Sequence, residues 1–89
     1  MSTAKLSTMP YAQATVFTSN GYITLISYET PVAYICPEGW LHISGLYSMT
    51  TRKHIGAFVK EYANITYQLA KRLFDDKLSY NIHTGEVRP

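Results

Sequence analysis

Between Tyr22 and Ser44 the chain alternates on two parities at once. Ile23, Leu25, Ala33, Ile35, Leu41 and Ile43 fall on odd positions, and Tyr22, Thr24, Tyr28, Tyr34, Trp40 and His42 on even ones. Successive strand side chains point to opposite faces, so the pattern specifies a sheet with one aliphatic face and one aromatic face. The aliphatic face needs a covering layer. The aromatic face is either covered too or is a binding surface.

Two turns fix the register independently. Asn20-Gly21 is a strong two-residue hairpin signal, because both central positions of a type I′ turn take positive φ. Closing it sets Phe17 opposite Thr24 and Val16 opposite Leu25. A second turn at Pro37-Glu38-Gly39 pairs Cys36 with Trp40, Tyr34 with His42 and Ala33 with Ile43, with Pro setting the first turn position and Gly free to take the left-handed one. Both turns yield the same partition of faces. The connection at Glu29-Thr30-Pro31 is open to two readings, a tight link between two strands or a kink in one long strand. The unbroken parity favours the kink.

From Thr51 the period changes to that of a helix. Ile55, Phe58, Val59, Tyr62, Ile65, Thr66, Leu69 and Leu73 form one stripe, with Lys53, Lys60, Asn64 and Lys71 opposite. A helix from Thr51 to Asp75 would be about 37 Å long, against about 20 Å for a strand of six or seven residues. It therefore either breaks near Ala63-Asn64 or overhangs the sheet, exposing Leu69, Leu73 and Phe74 as an interface. Leu78, Tyr80 and Ile82 alternate as a last strand before a turn at Thr84-Gly85. The expected fold is α+β: an antiparallel sheet of three to five strands packed on one long helix, broken or continuous. Residues 1–12 read as a flexible arm and 13–89 as a single domain.

A chain of 89 residues with 46% hydrophobic residues folds as one small globule with a thin core, for which association is a natural reinforcement. The single cysteine, Cys36, excludes an intrachain disulfide. No apolar run approaches the roughly 20 residues needed to span a bilayer, and Met1 to Pro10 lacks the apolar stretch of a secretion leader. A cytoplasmic protein without membrane contact is expected. The formal charge of +2 permits nucleic acid without arguing for it, since dedicated binders concentrate more Lys and Arg.

The residues that bear chemistry are few. His42, His54, His83 and Cys36 show neither His-x-x-x-His nor Cys-x-x-Cys spacing, so no metal and no cofactor is expected. The acidic residues are scattered and no Gly-rich phosphate loop is present, so the chain does not read as an enzyme. The aromatic set Phe17, Tyr22, Tyr28, Tyr34 and Trp40, with His42, is the main binding candidate. Such rings serve as anchors at protein interfaces and as platforms for unpaired bases, and they are also simply good strand formers. Thr50, Thr51, Arg52, Lys53 and His54 mark a helix start. Thr50 or Thr51 caps free N–H groups and His54 takes the place of the reciprocal acceptor, or the group forms an anion site.

Two strings, Ser27-Tyr28-x-Thr30-x-Val32-Ala33 and Tyr47-Ser48-x-Thr50-Thr51-x-x-His54-Ile55-x-x-Phe58, resemble a group of short proteins encoded by bacteriophages and prophages. The resemblance runs from Tyr22 to Tyr62. It implies an accessory protein at work in an infected bacterium, of the kind that binds and blocks a host factor or a defence system. The expected function is thus non-catalytic protein binding, to a host protein or to a second copy. Single-stranded nucleic-acid binding through the aromatic face is the alternative.

Overall fold

Alternation and turn chemistry shape most of the sheet. The computed structural model describes residues 2–6, 13–46 and 48–89. Its strands are β1 (Ser2–Lys5), β2 (Ala14–Ser19), β3 (Tyr22–Ser27), β4 (Thr30–Ile35) and β5 (Trp40–Ile43). Two helices, α1 (Met49–Tyr62) and α2 (Tyr67–Asp75), precede β6 (Ser79–Asn81) and β7 (Val87–Arg88). All neighbouring strands are antiparallel, in the order β1-β2-β3-β4-β5-β6-β7. The helices leave the sheet after β5, cross one face and return the chain to the vacant side of β5.

The sheet is wider than the three to five strands expected, because short edge strands carry too few residues to show alternation. Ser2–Lys5 was expected in a flexible arm. It pairs instead with β2, Thr3 opposite Phe17 and Lys5 opposite Thr15, and Leu6 is fully buried. Met1, residues 7–12 and Tyr47 lie outside the described residues.

Both register expectations hold. Phe17 stands opposite Thr24, Val16 opposite Leu25, Tyr34 opposite His42 and Ala33 opposite Ile43. Asn20 and Gly21 take φ of 53° and 83°, as a type I′ turn requires. Val16, Leu25, Ala33, Ile35, Leu41 and Ile43 are buried in the core, with Ile23 partly buried against it.

The kinked long strand does not form. A tight hairpin at Tyr28–Glu29 separates β3 from β4, with Tyr28 at φ 59°. Parity survives because of a bulge: Leu25 pairs with Ala33 but Ile26 with Pro31, which leaves Val32 as an extra residue. Val32 and Ala33 are then both buried. One extra residue in a strand offsets the parity change that the turn introduces.

The helical stretch breaks where its length required. Ala63 closes α1, its N–H donating to the Val59 carbonyl, and Asn64 takes φ 56°. Asn is among the few non-glycine residues that accept this left-handed position at a helix end. Ile65 N–H donates back to Val59 O at 3.3 Å, and Thr66 caps α2 by accepting from Leu69 N–H. Leu73 is consequently 2% exposed, and Leu69 and Phe74 are partly buried against the core. Of the interface expected at Leu69, Leu73 and Phe74, Leu73 is taken up by the core, and Leu69 and Phe74 keep part of their surface exposed.

Phe58 is fully buried where α1 crosses the sheet. Phe58→Ala is expected to cost about 3–5 kcal/mol, a large share of a small domain's stability. Chemical denaturation should show the loss as a lower midpoint with an unchanged slope.

Candidate functional site

The two strings that carry the phage resemblance converge in space. Ser27 ends β3 on the parity that faces the helices, and it is 2% exposed. Its Oγ lies 2.8 Å from His54 Nδ1 and 3.1 Å from Thr51 Oγ1. Ser48 completes the group. Its Oγ accepts from Thr51 N–H at 3.1 Å and donates to Thr51 Oγ1 at 3.2 Å. Ser48 is thus the N-cap of α1, a role expected of Thr50 or Thr51.

His54 is not the reciprocal cap either. It lies on the inward stripe of α1 with Thr51, Ile55, Phe58 and Val59, and its side chain is 1% exposed. One donor order uses every hydroxyl proton: Ser48 to Thr51, Thr51 to Ser27, Ser27 to His54 Nδ1. Such a chain polarises its members and strengthens each bond. Burial holds the His54 pKa below its usual range, so the neutral imidazole is the favoured form.

A serine hydroxyl against an imidazole nitrogen is also the geometry of a nucleophile and its base. Here both side chains are turned inward, with Ser27 Oγ and His54 Nδ1 engaged at the joint between sheet and helix. A recess of about 430 Å³ opens beside them, lined by Ser27, Tyr28, Thr30, Ser48 and Thr51. The arrangement works as a hydrogen-bonded pin whose outer hydroxyls border a polar cleft.

Tyr28 belongs here and not on the aromatic face. The hairpin swings its ring to 5.9 Å from that of His54, at 46°. The remaining aromatic candidates do assemble on the face opposite the helices. Thr3, Phe17, Thr24, Tyr34 and His42 form one cross-strand row over five strands. Tyr22 packs on Tyr34 at 6.2 Å and 53°, and Tyr34 on His42 at 5.3 Å and 41°. Arg88 lies over the Trp40 ring at 3.8 Å. The described strands contain no Asp or Glu, and Lys5 and Arg88 stand on the outermost two. A carboxylate, Glu38, stands in the β4–β5 turn. There the Cys36 thiol donates to Glu38, which with the Glu38 backbone N–H and the Arg88 charge holds the carboxyl below its usual range.

The helix-start group expected as one site is split. Thr51 and His54 turn inward, whereas Thr50, Arg52 and Lys53 are exposed. Arg52 and Lys53 line a groove between the helices. Cys36 is a free thiol. Among the described residues no three His, Cys, Asp or Glu side chains gather as a metal site would require. Sequence reasoning missed Ser27 and Ser48. The available signal was polarity out of place: Ser27 falls on the aliphatic parity, and His54 lies one residue from Ile55 on the buried stripe.

The pin makes stability depend on pH. His54 has a depressed pKa when folded, so its contribution is complete above the unfolded value of about 6.5 and is lost as pH falls below it. Denaturation at pH 7.5 and 5.5 should show lower stability at pH 5.5, by at most about 1.4 kcal/mol for a single imidazole. His54→Gln should flatten that dependence. Ser27→Ala, which strips His54 Nδ1 of its partner, should cost about 1–3 kcal/mol at neutral pH.

No curated protein and no solved structure matches the chain. One family model does, over residues 2–76, from β1 through the end of α2. The span takes in the hydroxyl–imidazole pin, the aromatic row from Thr3 to His42 and both helices. The chain therefore belongs to DUF8033, a family of unknown function.

Proposed function

We propose that this chain is a small phage-type accessory protein that acts without catalysis. It binds another protein through the aromatic face of its sheet and so blocks a factor in the host cytoplasm. The observation that carries this reading is the composition of the face: an open row of aromatic rings on strands without a carboxylate, with a cation on each outer strand. Tyr22 and Tyr34 are 47% and 37% exposed. Tyrosine and tryptophan dominate the energetics of protein interfaces because each buries a large rigid surface and still offers a polar edge.

The partner this face suits is acidic. Its carboxylates meet Arg88 at the edge of the row, and its carbonyls meet the tyrosine hydroxyls. Two features argue against unpaired nucleic acid. Trp40, the best stacking surface, is already covered by Arg88. The remaining rings pack against one another at an angle instead of standing free for bases to stack on. No helix is long and apolar enough to cross a membrane, among the described residues.

The test compares the wild type with a Tyr22→Ser/Tyr34→Ser variant as bait in bacterial lysate treated with nuclease. Expected is a protein captured in fixed proportion by the wild type and lost by the variant, with the variant's melting temperature unchanged. The two truncations should together weaken binding by at least about tenfold. Capture abolished by nuclease, with oligonucleotide affinity falling steeply as salt rises, would replace this reading with the nucleic-acid one. A partner held equally by the variant would move the interface off this face.

A further inference from the structure

The break that returns α2 to the sheet also opens a groove on the outer side of the helices. Tyr67, the first residue of α2, lies against Gly56 of α1. A Cβ on Gly56 would stand 3.4 Å from Tyr67 Cβ and 3.7 Å from its Cδ1, an ordinary van der Waals contact, so the two helices meet closely here. Gly56 and Ala57 together leave a gap beside the ring. The result is a groove of about 600 Å³ with Met49, Gly56, Ala57 and Tyr67 in its walls. Arg52, Lys53 and Lys71 complete the lining. Long basic side chains lay their aliphatic stems along apolar surface and keep the charged heads in water. The groove is therefore an apolar trough bordered by positive charge, and no Asp or Glu lines it.

Two further observations point to a ligand. Met49 is 73% exposed at one end of the trough, a large apolar side chain without cover. Tyr67 Oη is buried and has no hydrogen-bond partner among the described residues. Buried hydroxyls are ordinarily satisfied, and one left unpaired is costly. Tyr67 is itself a wall residue of the groove, beside Gly56.

We propose that the α1–α2 groove binds an amphipathic anion: a single acyl chain along Met49, Gly56, Ala57 and Tyr67, with its carboxylate held by Arg52 and Lys53. The volume is that of a small-molecule site. A nucleotide needs several polar groups to read its base, whereas this trough is walled by Met49, Gly56, Ala57 and Tyr67 with the stems of basic side chains. An acyl chain needs no such polar groups. Lys71 has a secondary part, because Asp75 already holds its ammonium at 2.7 Å. This site lies across the sheet from the aromatic face and does not depend on the function assigned to that face.

The experiment titrates the full chain with dodecanoate below its micelle concentration, following backbone amide shifts by NMR. Dodecanol and dodecyltrimethylammonium are the matched neutral and cationic probes. Expected are saturable shifts centred on Met49, Gly56, Ala57 and Tyr67, with dodecanoate at least about tenfold tighter than either comparator. Arg52→Gln/Lys53→Gln should erase that preference, a loss of about tenfold for two partly exposed charge contacts. Ala57→Phe should fill the trough and abolish the shifts. Melting temperature separates loss of site from loss of fold in each variant, and the double Gln variant, altered only at exposed positions, serves if Ala57→Phe fails to fold. Equal binding of the three probes, shifts spread over the whole chain, or no saturable binding of dodecanoate would overturn the assignment. Displacement of dodecanoate only by an acidic peptide, with weak binding of dodecanoate itself, would reassign the groove to a protein segment and also overturn it.

Discussion

The break between the helices is the constraint on which the rest of the structure depends. The aliphatic face of a small sheet must be covered, and the only segment with a helical stripe to cover it is too long to do so straight. An unbroken helix from Thr51 to Asp75 would run about 37 Å, whereas the longest extent of the folded chain is 32 Å. Asn64 resolves this by taking a left-handed conformation. Its short polar side chain makes that conformation affordable, at a helix end already closed by backbone bonds to Val59. Everything downstream follows. Leu73 and Ala70 reach the core, β6 is delivered beside β5, and the groove opens where α2 begins.

The second anchor is the hydroxyl chain from Ser48 through Thr51 and Ser27 to His54. An apolar contact at this place would bury as much surface but fix less. Hydrogen bonds have direction, so the group sets both the angle at which α1 leaves its cap and the depth at which it meets β3. Neutral His54 suits the task, since it accepts at Nδ1 without bringing a charge into the core. Ser27, Thr51 and His54, distant in the chain, thus act as one hydrogen-bonded unit.

The sequence was most legible where two signals had to agree. The hairpin turns and the alternation each predicted the faces of β2 to β5, and both were right. The break near Asn64 was legible as a length mismatch. It was less legible where two irregularities cancel. The tight turn at Tyr28 and the bulge at Val32 each shift parity by one residue, so together they imitate a continuous strand. That imitation placed Tyr28 on the wrong face. The edge strands were invisible for a simpler reason: two to four residues do not make a pattern. The pin was missed because His54 had a local explanation as a cap, and local spacing says nothing of a partner 27 positions away in the chain.

The family segment and the tail divide the surfaces between them. Residues 2–76 build the core, the pin, both helices and the groove, along with the row from Thr3 to His42. The tail adds β6 and β7, and with them Arg88, which covers Trp40. That contact removes one ring from the open face and places a cation there instead. A cation over an aromatic ring is worth about 0.5–1 kcal/mol where it is exposed, too little to hold two strands in place. Its larger effect is on recognition, because it turns a stacking surface into a charged one at the edge of the row. Arg88 is therefore supplied outside residues 2–76, whereas Lys5 on the opposite edge strand lies within them. The groove lies wholly within that segment, its lining running from Met49 to Lys71. The two surfaces thus differ in span: the groove is built wholly inside residues 2–76, and the open face takes Lys5 from inside that segment and Arg88 from beyond it.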